Sequence, residues 1–182
     1  MKFKNKVVIV TGASRGIGRA ICVAFAKEGA KVVGVARGDL AETESEVKKS
    51  GGEFLGVHSD LSKGTQKEAA DLIAQILQKT GRIDALVNNA GIIRRAPAVD
   101  FSEKDWNDVL QTNLSSPFFL SQAAAKWWLT GGREKSPADS CLKIINIASL
   151  LSFQGGILVP AYTASKHGIA GMTKALANEW AS

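Results

Sequence analysis

Cysteine is scarce in this chain of 182 residues, and proline and tyrosine are rare as well. The two cysteines, Cys22 and Cys141, lie far apart in the sequence and form no C-x-x-C pair. A disulfide framework and a zinc site are therefore both unexpected, and we predict no metal site. A reducing compartment is the default for such a chain, so we expect a cytoplasmic protein.

Long apolar runs are absent too. The run VVIV at 7–10 has four residues before Thr11 and Gly12, too few for a signal peptide or a membrane span, so no membrane is expected. The formal net charge of +6 comes from scattered Lys and Arg, without a basic run interleaved with aromatic residues. Nucleic acid is therefore not an expected partner, whereas an anionic cofactor or small-molecule substrate is. The length fits one domain over residues 1–182.

What the sequence does contain is an alternation of β-branched runs and amphipathic helical patterns. The predicted strands cover residues 6–10, 31–36, 53–58, 83–87 and 142–148, and the last of them is expected to be buried. Helices are predicted between them, including a long one over 103–129 that Pro117 should kink or locally open, and a final one over 161–180. Residues 131–140 predict a surface loop. This order predicts an α/β fold, a doubly wound parallel Rossmann-type sheet between two helical layers.

A glycine-rich turn, TGASRGIG at 11–18, joins the first strand to the first helix. Gly12 permits a tight turn, Gly16 lets the backbone approach a pyrophosphate, and Gly18 allows close packing of helix on strand. The helix N-terminus would offer free N–H groups and partial positive charge to the phosphates. The turn therefore favours nucleotide binding over a purely structural role. Its expected cofactor contacts are Gly12, Ser14, Arg15, Gly16, Ile17 and Gly18.

The residues after the second strand bear on the choice between NAD and NADP. NAD-binding folds usually place a carboxylate there for the ribose 2′-OH, but this chain has Ala36 followed by Arg37. The two guanidinium groups of Arg15 and Arg37 favour a 2′-phosphate and therefore NADP. Asp39 keeps NAD open, although it also has the position of a helix N-cap, with Glu42 at capping-box spacing. We expect NADP or NAD, with NADP favoured.

A serine, a tyrosine and a lysine follow the fifth predicted strand: Ser149, Tyr162 and Lys166. Tyr162 and Lys166 are four residues apart and so share one face of a helix. An ammonium near a phenol favours the phenolate, which brings the hydroxyl toward the working range of general acid–base catalysis. Ser149 ends a strand, where side chains of an open α/β sheet face the ligand crevice. The set suits reduction of a carbonyl or oxidation of an alcohol, although the Tyr-Lys spacing alone is also common on exposed helix faces.

Short motifs along the whole chain resemble those of the classical short-chain dehydrogenase/reductase family. They are TGASRGIG at 11–18, SDL at 59–61, NNAG at 88–91, TNL at 112–114, IAS at 147–149 and YTASK at 162–166. The resemblance implies an NAD(P)-dependent oxidoreductase that interconverts a secondary alcohol and a ketone. It implies that Asn113 holds a water in a proton relay, Ser149 bonds the substrate oxygen and Tyr162 exchanges the proton. Lys166 would bond the nicotinamide ribose, so Tyr162 and Lys166 would contact the cofactor as well.

The same resemblance implies cofactor contacts after the third and fourth strands: Asp60, Leu61, Asn88, Ala90 and Gly91. Asp60 would bond the adenine amino group, and Asn88 and Ala90 would flank the adenosine ribose. Taken alone, Asp60 also has the position of a helix N-cap, and Asn88 with Asn89 that of a structured turn.

A narrower likeness, to the subgroup of 2-dehydro-3-deoxy-D-gluconate 5-dehydrogenases, is carried by GIIRRAP at 91–97, FSEKDWNDVL at 101–110, IINIASLLSFQGG at 144–156 and VPAYTASK at 159–166. It implies a deoxy sugar acid such as 2-dehydro-3-deoxy-D-gluconate as substrate. Arg94 or Arg95 would clamp the substrate carboxylate, and Gln154 would contact a sugar hydroxyl alongside Ser149 and Tyr162. A solvated arginine pair is the alternative. Members of this subgroup often use NAD, whereas Arg15 and Arg37 favour NADP, so the two indications disagree.

Family members typically run to ~250 residues, so we expect that the last strands of the sheet and the lid segment are missing from this chain, which would leave the fifth strand as an apolar edge. A second function therefore stays open, that of a truncated, non-catalytic nucleotide-binding relative. Trp127, Trp128 and Trp180 add apolar surface to the long helix and the last helix. This surface predicts a homodimer or homotetramer, as the family resemblance also implies.

Overall fold

The computed structural model describes residues 1–134, 136 and 140–180. The predicted loop at 131–140 therefore falls partly outside the described residues, at 135 and 137–139. The strands are β1 (Val7–Thr11), β2 (Lys31–Ala36), β3 (Glu53–His58), β4 (Ala85–Asn88) and β5 (Lys143–Asn146). The α-helices are α1 (Gly16–Lys27), α2 (Ala41–Lys49), α3 (Gln66–Thr80), α4 (Glu103–Leu110), α5 (Ser116–Trp127) and α6 (Pro160–Trp180). In this described part of the chain, no helix combines the length and the apolar character needed to cross a bilayer.

The strands form one sheet in the order β3-β2-β1-β4-β5, and each neighbouring pair is parallel. The chain therefore winds outward from β1 in both directions, which is the doubly wound arrangement. Because every strand runs the same way, the carboxyl ends of the strands meet at one edge of the sheet. The predicted Rossmann-type α/β class is confirmed, and the predicted strands at 31–36 and 53–58 have the observed bounds.

Alternate residues of the strands face opposite sides of the sheet, and helices cover both sides. On one side Ile9 of β1 packs in a buried cluster with Leu120 of α5 and apolar residues of α3. On the other side Val8 of β1 packs with Cys22 of α1 and Val47 of α2. Burial on both faces explains why β1 reads as a continuous apolar run instead of an alternating one.

The apolar run of β5 predicts a buried strand, and this prediction is wrong, whereas the edge position that we also expect for β5 is confirmed. In the described structure it pairs with β4 alone and lies at the edge of the sheet. Its side chains alternate between exposed and half-buried, and Ile145 is 40% exposed. An apolar run indicates a strand that favours burial, but it carries no information on which neighbours cover that strand.

The long helix predicted over 103–129 is divided into separate segments. Helix α4 ends at Leu110, a π-helical turn spans Gln111–Ser115, and α5 begins at Ser116 with Pro117 in its first turn. Proline is tolerated there because the N–H groups of a first turn have no partner within the helix. The irregular backbone predicted near Pro117 is therefore the turn before it, and this turn carries Asn113.

Helix α2 begins differently from the prediction. Its N-cap is Leu40, and Asp39 Oδ1 accepts a hydrogen bond from the Ala41 N–H at 2.9 Å. Glu42 is paired across to α1, with 2.6 Å between its Oε1 and Arg19 Nη1. The predicted Asp39–Glu42 capping box is therefore wrong, because the Glu42 carboxylate is used to join α2 to α1.

Candidate active site

The glycine-rich turn follows β1, and a different steric requirement explains the glycine at each of three positions. Gly12 has φ +67°, and a Cβ there would lie 2.9 Å from Ala90 Cα. A Cβ on Gly18 would lie 2.1 Å from the Gly12 carbonyl oxygen. Gly16 has φ +56°, and a Cβ there would meet no described atom within 4 Å. Gly12 and Gly18 thus permit tight packing of the backbone, whereas Gly16 leaves an open surface at the N-terminus of α1.

This open surface has the donors that a dinucleotide diphosphate requires. Helix α1 starts at Gly16, and its first turn carries no acidic residue that would oppose the positive end of the helix dipole. Arg15 is the N-cap residue of α1 and has an extended backbone. Its side chain and that of Ile17 are both exposed beside Gly16. Free N–H groups at a helix N-terminus bind phosphate well, so these residues fit the diphosphate.

Hydrogen bonds join the turn to the segment that follows β4. Thr11 Oγ1 accepts from the N–H groups of Asn89 and Ala90, each at 3.0 Å. Asn89 Nδ2 donates to the Thr11 carbonyl at 2.9 Å. The glycine turn and the NNAG segment are therefore held as one unit. Sequence reasoning missed Thr11, although a hydroxyl at the end of a buried apolar strand is a signal for such a bond.

The side chain of Asn88 is buried and points into the protein. Its Nδ2 donates to Ser121 Oγ at 3.0 Å and to Asn146 Oδ1 at 2.9 Å. Its Oδ1 is buried and has no hydrogen-bond partner among the described residues. The side chain thus links β4 to α5 and β5, and the Asn88 carbonyl accepts from the Ile147 N–H at 3.0 Å, so the ribose contact that the resemblance implies stays a prediction.

Arg37 and Asp60 come together where β2 and β3 end, with 3.9 Å between Arg37 Nη1 and Asp60 Oδ1. The Arg37 side chain is 76% exposed. Asp60 Oδ1 accepts from the Ser62 hydroxyl at 2.7 Å, and this bond, with a smaller effect of Arg37, holds the pKa of Asp60 below its usual range. The helix N-cap alternative for Asp60 is wrong, because Thr65 caps α3. Leu61 is buried next to this ionised carboxyl.

Asn113 in the π-helical turn is 1% exposed and joins two parts of the site. Its Oδ1 accepts from the Ile92 N–H at 2.8 Å, and its Nδ2 donates to the Ile92 carbonyl at 2.9 Å. Nδ2 also donates to Ser165 Oγ at 3.2 Å, and that hydroxyl donates to the Tyr162 carbonyl at 2.7 Å. A Cβ on Gly91 would lie 3.4 Å from Asn113 Oδ1. The Asn113 side chain is thus fully engaged, and the water of the implied relay would need its main chain. Sequence reasoning missed Ser165.

Lys166 is 6% exposed and lies one helical turn after Tyr162 on α6. Its Nζ lies 5.6 Å from the centre of the Tyr162 ring and donates to the Ile147 carbonyl at 2.5 Å. Burial lowers the pKa of Lys166. The Lys166 ammonium is thus buried beside the Tyr162 ring and is held there by the segment that follows β5.

Ser149 follows β5 and begins a 3₁₀ turn over Leu150–Ser152. Its Oγ accepts from the Leu151 N–H at 3.2 Å, and its own N–H donates to Ser152 Oγ at 3.2 Å. Ser152 Oγ donates to the Lys166 carbonyl at 2.8 Å. Ser152, which sequence reasoning missed, thus fixes the half-buried Ser149 against the helix that carries Tyr162 and Lys166.

The expected substrate residues lie on two segments that touch. The Ala96 N–H donates to the Leu158 carbonyl at 3.1 Å, so the segment after β4 lies beside the segment before α6. Arg94 and Arg95 are exposed on the first segment, and Gln154 is exposed on the second. Arg94 forms an ion pair with Asp105 of α4, with 3.2 Å between Arg94 Nε and Asp105 Oδ1.

A doubly wound sheet with a glycine turn after β1, and with Tyr, Lys and Ser at the edge where the strands end, defines a nicotinamide-dinucleotide oxidoreductase. The chain belongs to the short chain dehydrogenase family, which matches it over residues 6–182. The predicted family and the oxidoreductase class are confirmed.

Curated relatives and a solved structure place the chain near one group in this family. It is 47% identical over 178 residues to the 2-dehydro-3-deoxy-D-gluconate 5-dehydrogenase of Escherichia coli (strain K12), covering 98% of this chain and 67% of that protein. Identity to the Bacillus subtilis (strain 168) protein of the same name is 49% over 180 residues, covering 98% and 66%. An Agrobacterium tumefaciens protein provisionally named a 2-deoxy-d-gluconate 3-dehydrogenase, with bound NADP, superposes with a TM-score of 0.86 at 48% identity, covering 98% and 67%. The chain thus spans about two thirds of these relatives.

Proposed function

We propose that this chain is an NADP-dependent dehydrogenase that interconverts a secondary alcohol and a ketone on a deoxy sugar acid such as 2-dehydro-3-deoxy-D-gluconate. The observation that carries the proposal is the buried Lys166 ammonium beside Tyr162, held against the turn that starts at Ser149. The identities of 47% and 49% to two dehydrogenases named for that substrate support the substrate class.

Each catalytic side chain has one role in this proposal. A bound nicotinamide supplies the hydride to the carbonyl carbon, or accepts it in the reverse direction. During reduction the Ser149 hydroxyl donates a hydrogen bond to the substrate oxygen, and Tyr162 transfers its proton to that oxygen. Lys166 stabilises the charge left on Tyr162, and Asn113 holds the backbone of Tyr162 in place through Ser165. During oxidation the same groups act in reverse.

The choice of NADP rests on Arg15 and Arg37, which are both exposed near the adenosine end of the expected site. The Arg37–Asp60 pair at 3.9 Å is exposed and contributes little, so the guanidinium can turn to a 2′-phosphate at small cost. The bound NADP of the Agrobacterium tumefaciens protein supports the same choice. Initial rates with NADPH should exceed those with NADH, and a clear preference for NADH contradicts the argument from the two arginines.

Arg95 is the stronger candidate for the substrate carboxylate, because Arg94 Nε already donates to Asp105 Oδ1 at 3.2 Å. Replacing Arg95 by Met should raise KM for a keto sugar acid by about 10-fold and leave KM for a neutral ketone unchanged. Arg94→Met should have a smaller effect and serves as the matched control. Equal effects of Arg95→Met on both substrates contradict the clamp.

The proposal is tested by following the loss of reduced-nicotinamide absorbance with NADPH, a panel of keto sugar acids and a panel of neutral ketones. We expect turnover of a keto sugar acid by the wild-type chain and loss of that turnover in Tyr162→Phe. Binding of NADPH without turnover of any carbonyl compound contradicts the enzymatic proposal and indicates the non-catalytic nucleotide-binding relative.

A cytoplasmic homodimer or homotetramer is also part of the proposal. The indole rings of Trp127 and Trp128 are half-buried on the described chain, and Leu129 next to them is 65% exposed. Apolar surface of this kind supports association between copies. Light scattering after size-exclusion chromatography should give the mass of two or four chains, and a monomer contradicts this part.

A further inference from the structure

Arg19 is the centre of a polar cluster that the proposed reaction does not use. It lies in the first turn of α1, and its side chain is 18% exposed. Its guanidinium forms a fork with Glu42 of α2, with Nη1 and Nη2 each 2.6 Å from one carboxylate oxygen. Nη2 also donates to the Ser14 carbonyl at 2.7 Å. One side chain thus connects the glycine-rich turn, α1 and α2.

Thr43, the next residue of α2, makes a second connection to the same turn. It is fully buried, and its hydroxyl donates to the Ala13 carbonyl at 2.7 Å. Arg19 Nε donates to the same hydroxyl at 3.3 Å. Two consecutive carbonyl groups of the turn, those of Ala13 and Ser14, are therefore held by side chains of α2 and α1.

Holding a carbonyl also aims the N–H group of the same peptide. In a trans peptide the C=O and N–H bonds point in opposite directions. The Ala13 carbonyl points to Thr43, so the Ser14 N–H points away from it, and the Ser14 carbonyl directs the Arg15 N–H in the same manner. These N–H groups precede the open surface at Gly16, where the diphosphate is expected.

We infer that Arg19 and Thr43 are positioning residues for the dinucleotide, which rests on the proposed nucleotide binding. They aim the N–H groups of Ser14 and Arg15 at the phosphates. The Arg19–Glu42 fork also ties the turn that carries Arg15 to the helix that follows Arg37. The main-chain segments that carry the two cations expected at the 2′-phosphate are thereby linked, and the negative charge of Glu42 near the phosphates is neutralised.

The test measures the Kd for NADPH by fluorescence, together with kcat at saturating NADPH, in the wild type and three variants. Arg19→Met should raise Kd by about 10-fold, and Thr43→Val by a smaller factor, because each removes hydrogen bonds made by or to a charged or buried group. Arg19→Lys should be intermediate, since a single ammonium cannot replace the guanidinium fork. In all three, kcat at saturation should stay within about twofold of wild type, as expected when binding alone is lost.

Lys48→Met is the matched control, because it removes an exposed ion pair of the same helix, Lys48–Glu44 at 2.6 Å, away from the turn. Its Kd should equal that of the wild type. An unchanged Kd in Arg19→Met and Thr43→Val, or a loss of kcat with unchanged Kd, overturns the inference and leaves the proposed function intact. If Arg19→Met does not fold, Arg19→Lys and Thr43→Val decide. A wild-type chain that does not bind NADPH overturns the proposed function itself.

Discussion

The Lys166 ammonium lies 5.6 Å from the centre of the Tyr162 ring and donates its hydrogen bond to the Ile147 carbonyl at 2.5 Å. Tyr162 and Lys166 belong to one turn of α6, whereas Ile147 follows β5. A buried ammonium needs a polar partner, and the end of the strand provides it. The end of β5 therefore holds the Lys166 ammonium in place, in addition to the helix that carries it.

Replacing Lys166 by Met should remove most of the turnover. The variant keeps an unbranched apolar side chain but loses the charge that stabilises the Tyr162 anion. We expect kcat to fall by about 100-fold or more, which is the usual contribution of positioned acid–base groups. Lys166→Arg keeps the charge and should retain more activity than Lys166→Met. An unchanged kcat in Lys166→Met contradicts the role given to the lysine.

Replacing Asn113 by Ala should lower both stability and activity. The substitution leaves the half-buried main-chain N–H and carbonyl of Ile92 without their partners and opens a gap where the buried Asn113 amide was. A loss of about 3 kcal/mol in the free energy of unfolding is expected, together with a fall in kcat because Tyr162 is less well held. Ser165→Ala removes a single hydrogen bond to Asn113 and should lower the free energy of unfolding, measured with denaturant, by a smaller amount. The idea fails if the two variants unfold at the same denaturant concentration as the wild type.

The glycines of the turn should respond differently to alanine. Gly18→Ala places a Cβ 2.1 Å from the Gly12 carbonyl oxygen, so the variant should not fold to the native sheet. Gly16→Ala has open space but needs a left-handed backbone, at a cost of about 1 kcal/mol. The Gly16→Ala variant should therefore fold. It should bind NADPH more weakly, because its methyl group would occupy the open surface where the diphosphate is expected. Circular dichroism and NADPH titration check this, and a well-folded Gly18→Ala is the contrary result.

The two thiols should differ in reactivity. Cys22 is fully buried, and burial raises its pKa from 9.0 to about 12, whereas Cys141 is exposed. A thiol reagent at neutral pH should modify Cys141 rapidly and Cys22 only after denaturation.

The raised pKa of Cys22 also predicts a dependence of stability on pH. Between pH 9.0 and about 12 the folded chain keeps the Cys22 proton, whereas the unfolded chain loses it. Stability should therefore fall with rising pH, by up to ~1.4 kcal/mol per unit from this group. Cys22→Ala should show a shallower decline, and rapid modification of both thiols contradicts the burial.

The elements of this fold are largely predictable from sequence, because each depends on local pattern. Strand β2 follows from KVVGVA and α6 from its helical spacing, and both have nearly the predicted bounds. Whether a strand lies at the edge or in the centre of the sheet does not follow from its local pattern. The exposure of Ile145, for example, depends on which strands lie beside β5. The pattern also predicts a kink or a local opening near Pro117, but it does not reveal that the irregular backbone is a π-helical turn before the proline.

The site is predictable where a residue type is itself diagnostic. The glycine turn and the Tyr162–Lys166 spacing can be read directly, because their function depends on neighbours in sequence. Thr43 and Arg19 are not found this way, because their contacts join α2 to a turn some thirty residues earlier, as the Thr43–Ala13 bond shows. Long-range hydrogen bonds of this kind become visible only when the packing of the helices is known.

The most direct measurement of the central claim is the turnover of Tyr162→Phe, a variant that loses a single hydroxyl. We predict that it binds NADPH with the Kd of the wild type and that its kcat on a keto sugar acid falls by about 100-fold or more. A Tyr162→Phe variant that retains kcat within about twofold of the wild type would show that the proton comes from another group, and this result would contradict the account.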